Sequence, residues 1–128
     1  MLKPSKTALV YLALIGVGIG IGYAGPRVPG WLKPAYTSGN FSSYYPDAQT
    51  RVILYSTSWC GYCTRTRAYM KERGQPFVEM DIEKSQQARQ QHRELGGGGV
   101  PVVLIGGRLI RGYVPRSFDA ALAAIDKK

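Results

Sequence analysis

Arg51-Val-Ile-Leu-Tyr-Ser-Thr-Ser-Trp-Cys-Gly-Tyr-Cys63 is the stretch from which the rest of this 128-residue chain can be read. Its first half, residues 51–56, is a short apolar run and reads as a buried strand. Its second half holds both cysteines of the chain, Cys60 and Cys63. Residues 61–73 contain no proline and stop at Gly74, which marks a helix with glycine just past its end. The two cysteines therefore sit at a strand-to-helix junction. Cys60 falls near the helix N-cap, where unpaired backbone N–H groups and the positive end of the dipole favour an anionic sulfur. Cys63 lies one turn further in. Arg65 and Arg67, with Arg111 and Arg116 if the fold brings them close, add positive charge. The chemistry that fits is thiol–disulfide exchange. Cys60 attacks a disulfide, a mixed disulfide forms, and Cys63 resolves it.

Outward from this stretch, residues 76–81 (PFVEMD) alternate as a strand does. Residues 83–95 are polar and helix-favouring, and end in the Gly96–Gly99 run. Residues 101–105 (PVVLI) form a third strand, and Gly106-Gly107 is a hairpin signal leading into residues 108–111 as a fourth. Residues 115–125 read as a helix with Phe118, Leu122 and Ile125 at core spacing. The expected order is β-α-β-α-β-β-α, an α/β sandwich over residues 51–128.

Other uses of the cysteine pair carry less. Two cysteines and the single histidine, His92, fall short of a zinc ligand set unless a dimer shares the ion. A static disulfide across two residues closes too small a loop to stabilise a fold much. Two inert buried thiols are the third reading. Redox chemistry is the reading that a CxxC near a βαβ pattern favours.

At this point the sequence resembles the glutaredoxin family within the thioredoxin-like fold, over about residues 51–126. The resemblance rests on VILYSTSWCGYC, on FVEMDIE at the second strand, on Gly99-Val100-Pro101-Val102, and on Gly106-Gly107-Arg-Leu-Ile-Arg-Gly112. It implies catalytic roles for Cys60 and Cys63, a cis peptide bond before Pro101, and a substrate-binding surface from Tyr62, Val100, Pro101, Gly112 and Tyr113. The Val100 backbone would pair with an extended substrate chain. Gly61 stands where glutaredoxins usually carry proline, Thr57 where many carry lysine, and Gly99 where the family has threonine. Gly112-Tyr113-Val114-Pro115 replaces the usual acidic residues. That last pattern looks like the glutaredoxin-like redoxins that take electrons from thioredoxin reductase. Glutathione is accordingly expected only as a weak co-substrate, held by the Val100 backbone and by Arg111 or Arg116, and no bound cofactor or metal is expected. The implied partners are protein or small-molecule disulfides and thiols, with an electron donor or acceptor still to be identified. Two readings from other classes stand beside the enzyme: a non-catalytic adaptor that docks partners on the Val100–Pro101 edge, and a thiolate metal-delivery module.

The first fifty residues are of another kind. Residues 7–24 (TALVYLALIGVGIGIGYA) carry no charge and follow Lys3 and Lys6. As a helix they would reach about 27 Å, close to the hydrocarbon thickness of a bilayer. A membrane anchor is expected, with a cleaved signal peptide as the nearest rival and a buried soluble helix as a third reading. The basic residues before the span favour a cytoplasmic N-terminus, which places the redox domain outside the cytoplasm. Residues 25–50, broken by Pro26, Pro29, Pro34 and Pro46, read as a tether. Their aromatics, Trp31, Tyr36, Phe41, Tyr44 and Tyr45, suit either a membrane interface or the domain surface.

The chain has 17 basic against 8 acidic residues, a formal charge of +9. It shows no nucleic-acid motif, so the basic balance is expected to face solvent and anionic head groups. His92 is expected to be a solvated helix residue, Asp81 to cap the helix after it, and Gly96–Gly99 to be slack before Pro101.

Overall fold

A computed structural model describes residues 4–24 and 35–127, with side chains given for 4–20 and 35–127. Two compact units divide the chain between residues 33 and 34. In the first, α1 runs Lys6–Ala24. The side chains of Leu9, Leu12, Ile15 and Ile19 are all exposed. Among the described residues no helix is long and apolar enough to cross a membrane. The expectation of a spanning helix therefore finds a helix in the expected place, without the span itself. The first residues of the basic N-terminus and residues 25–34 of the expected tether, Trp31 included, lie outside the described residues.

Among its described residues the second unit is a five-stranded mixed sheet with three α-helices and a short 3-10 helix at Ser42–Tyr44. Its elements are β1 (Thr37–Ser38), β2 (Val52–Ser56), α2 (Gly61–Glu72), β3 (Val78–Asp81), α3 (Gln86–Glu94), β4 (Val102–Ile105), β5 (Arg108–Arg111) and α4 (Pro115–Asp126). The strand order is β1-β5-β4-β2-β3. Only β2 and β3 run parallel, joined by α2 as a parallel pair requires. β4 lies antiparallel to β2, with Val52 opposite Ile105 and Tyr55 opposite Val102. From β2 onward the order of elements is the one expected from the sequence.

Every residue of β2 and β4 is buried, so both sheet faces must be covered. Alternation sends Val52 and Leu54 to one face, with Val103, Ile105 and Ile110; there α2 and α4 supply Tyr69, Met70, Phe118 and Leu122. Ile53, Tyr55, Val102, Leu104 and Leu109 point to the other face. α3 is too polar to close that side: among its side chains only Ala88 and His92 are buried. The closure comes from the segment before β2. Phe41, Tyr44 and Tyr45 pack on this second cluster, while Tyr36 packs on the first. The Tyr45 hydroxyl donates to the Gly106 carbonyl at 2.9 Å, and the Gly39 amide donates to Gly107 O at 3.0 Å. The tether expected over 25–50 thus divides, and its described part, from residue 35, is built into the fold.

Three local expectations are corrected. Ser85, not Asp81, caps α3, its Oγ accepting the Ala88 amide at 3.2 Å. Asp81 Oδ1 instead accepts the Glu83 and Lys84 amides of the preceding turn. His92 is buried, because its Nε2 lies 3.2 Å from the Gly99 carbonyl and its ring packs beside Tyr55. The glycine run is also tied down, by Arg111, which donates to the carbonyls of Gly97 and Leu95.

Candidate functional site

The first turn of α2 places the cysteines. Cys60 is the N-cap residue, with extended backbone angles, and its sulfur accepts the Cys63 amide at 3.2 Å. A charged sulfur at this position meets both an aimed N–H and the positive end of the helix. The Cys60 thiol also reaches the Val100 carbonyl at 3.7 Å, and the Val100–Pro101 bond is cis. Cys60 is 7% exposed and Cys63 0%. Both are free thiols. Burial pushes the Cys63 thiol up to about 12, a rise reinforced by its neighbour Cys60 and opposed by the Thr57 amide and the Arg67 charge.

The residues expected around the pair are distributed unevenly. Tyr62 is exposed, with the Arg65 guanidinium 5.6 Å from its ring centre. Trp59 is 72% exposed, and its indole N–H donates to Glu83 Oε1 at 2.7 Å. These two aromatics flank Cys60 in sequence and stand in solvent. Val100 is beside Cys60, and Pro101 is buried, its carbonyl accepting the Gly112 amide at 2.8 Å. Gly112 has φ of +80°, a conformation that favours glycine. Tyr113 is engaged elsewhere: its ring centre lies 6.3 Å from that of Tyr69 and 6.0 Å from that of Phe118, on the α2–α4 side of the core. Arg111, expected to add charge near the thiols, holds the glycine loop instead.

A polar network beneath the pair was not assembled from the sequence. Arg67 donates through Nε to Glu79 Oε1 at 2.6 Å and through Nη2 to the Thr57 carbonyl at 3.0 Å. Ser56 Oγ donates to the same Glu79 oxygen at 2.6 Å. The available signal was spacing: Arg67 is four residues after Cys63, hence on the same helix face. The buried Thr57 hydroxyl has no hydrogen-bond partner among the described residues. Among those residues no group of three or more His, Cys, Asp or Glu side chains could hold a metal ion.

This geometry can be set beside known proteins. Residues 52–110 match the family model Glutaredoxin. A glutaredoxin-like 8.6 kDa protein of Clostridium pasteurianum is 33% identical over 69 residues, covering 53% of this chain and 92% of that protein. The chain belongs to the glutaredoxin family. A glutaredoxin of Pseudomonas aeruginosa is 32% identical over 56 residues, covering 43% of this chain and 67% of the relative. Among solved structures, the glutaredoxin-like NrdH-redoxin of Escherichia coli superposes with a TM-score of 0.52 at 25% identity, covering 56% of this chain and 93% of that one. A glutaredoxin of Archaeoglobus fulgidus, at 24% identity and a TM-score of 0.53, shows the same fold over 65% of this chain and 94% of its own. As a glutaredoxin, the chain is a thiol–disulfide redox protein of mixed α/β, thioredoxin-like fold.

Proposed function

We propose that this glutaredoxin catalyses dithiol exchange, with Cys60 as the attacking sulfur and Cys63 as the resolving one. The observation that carries the reading is the pairing of a nearly buried Cys60 at the α2 N-cap, its sulfur receiving the Cys63 amide at 3.2 Å, with a Cys63 closed to solvent. Cys60 attacks a substrate disulfide and one substrate thiolate leaves. Cys63 then loses its proton to solvent and attacks the Cys60 sulfur of the mixed disulfide. The second substrate thiolate departs, and the Cys60–Cys63 disulfide holds the two electrons' worth of oxidation. Val100, beside Cys60, offers backbone to an extended substrate, and Tyr62, Pro101, Gly112 and Tyr113 are the further residues proposed for that surface, although Tyr113 also packs its ring on Tyr69 and Phe118. The test is disulfide reductase turnover of the full-length chain. Cys60→Ser abolishes it, and Cys63→Ser accumulates the mixed disulfide. Normal turnover by Cys60→Ser would sink the assignment.

Electrons are proposed to come from a thioredoxin-type reductase, with glutathione a weak co-substrate. The support is the Gly112-Tyr113-Val114-Pro115 pattern, together with the thioredoxin-like activity profile described for the E. coli NrdH-redoxin. Efficient turnover with glutathione and glutathione reductase alone would overturn this. The chain is also proposed to be held at a membrane through residues 7–24, with its redox domain outside the cytoplasm. The uncharged run and the exposed apolar side chains of α1 support it. Alkylation of the reduced thiols by an impermeant reagent in intact cells checks the compartment; protection of the thiols would reverse it.

A further inference from the structure

Arg67 has more partners around the cysteine pair than a solvent-facing helix residue needs. It binds Glu79 and the Thr57 carbonyl, and lies 3.4 Å from Thr64 Oγ1 and 3.5 Å from Ser56 Oγ. Its side chain is only 22% exposed, so its charge is less screened than that of a free surface arginine. Thr57 is buried and held at its carbonyl by Arg67, which lies four residues after Cys63 on the same helix face, and the Thr57 backbone and the Arg67 charge both favour the ionised form of the Cys63 thiol. We propose that Arg67 is the positioning residue for the resolving half of the reaction: it fixes Thr57 against Cys63 and supplies the positive charge under which that thiol releases its proton.

The inference rests on the reading of Cys63 as the resolving thiol. Among the described residues, the ionisable groups acting on Cys63 are Cys60 and Arg67; Glu79, from β3, faces Arg67 and Ser56, while Val100 faces Cys60 through its carbonyl. Before the first attack, burial first and Cys60 second resist ionisation of Cys63. In the mixed disulfide the Cys60 sulfur is neutral and carries no thiol proton, so its opposition ends. Burial then stands against two supports only, the Thr57 amide and the Arg67 charge. In the step itself a Cys63–Cys60 sulfur bond forms, the bond from Cys60 to substrate breaks, the substrate sulfur leaves as thiolate, and the Cys63 proton passes to solvent. No outside oxidant or reductant enters.

The two halves separate in stopped flow with the full-length reduced chain in detergent and dithionitrobenzoate, which gives one coloured thiolate at each attack. From about pH 6 to about pH 9, Arg67→Gln slows the second phase about tenfold at each pH, leaving the first phase within about twofold. Arg67→Lys keeps the charge and recovers most of the loss. A second phase in Arg67→Gln with the wild-type rate at each pH overturns the proposal, as does an equal loss in both phases. Should Arg67→Gln lose its fold, a second phase slowed about tenfold in Arg67→Lys overturns it equally. If Cys63→Ser gives a wild-type second phase, the failure lies in the role of Cys63 and not in that of Arg67.

Discussion

Cys63 is fully buried, and its thiol is raised from an ordinary value of 9.0 to about 12. In the unfolded chain it ionises near its ordinary value, whereas in the folded one it stays protonated. Its contribution to stability is therefore complete below about pH 9 and is lost as pH climbs from there toward 12. The reduced protein is expected to lose about 1 kcal/mol from this source between about pH 8 and about pH 10. Cys63→Ala lacks that part of the loss, which urea unfolding under reducing conditions at the two pH values measures. The same slope in both proteins would place the loss elsewhere. The site at this scale was legible where its signal was local: two cysteines at a strand–helix junction declare an N-cap sulfur and a second sulfur one turn deeper. The partners of Arg67 were not legible, because Glu79 and Thr57 reach it from a strand and a loop whose approach only the folded chain defines.

Among the elements, the β4–β5 hairpin shows how little room the sheet leaves at its turn. Gly106 has φ of +56°, and a Cβ there would lie 2.7 Å from Ile125 Cγ2 on α4. Gly106→Ala is expected to cost about 2 kcal/mol or more, from backbone strain and overpacking together. Tyr45→Phe removes the bond to the Gly106 carbonyl and costs about 1 kcal/mol. Both are checked by chemical denaturation, and a loss under a few tenths of a kcal/mol for Gly106→Ala would show that α4 yields instead. The hairpin, β2 and α2 were readable because glycines, apolar runs and helix stops are signals within a few residues. The pairing of β1 with Leu109 and Arg108 was not, since a two-residue strand has no period of its own. The cap of α3 was misplaced for a related reason. Asp81 and Ser85 are both good caps, and only the geometry of the intervening turn decides which one the helix uses.

For the molecule as a whole, the domain begins before its family-like part does. The second unit starts at Pro34, and Phe41, Tyr44 and Tyr45 close a sheet face that α3 leaves open. A chain beginning at residue 35 is expected to fold with the stability of the intact domain, and one beginning at residue 51 to lose several kcal/mol, on the order of 3 or more, as three aromatic contacts vanish. Equal urea midpoints for the two would remove the structural role given to residues 36–45. This wall was hard to foresee because its residues lie in a proline- and glycine-broken stretch whose composition resembles a tether. Its aromatics acquire a place only once Ile53, Tyr55 and Leu104 present a face to cover. In the intact chain, the same fold holds Trp59 upright in solvent by its indole N–H on Glu83, immediately before Cys60. The only other tryptophan, Trp31, precedes the domain. An indole one residue before a sulfur that alternates between thiol and disulfide gives the reaction an optical signal that needs no label: Trp59 emission is expected to change as the pair oxidises, and identical emission from the reduced and oxidised chain would discard that signal.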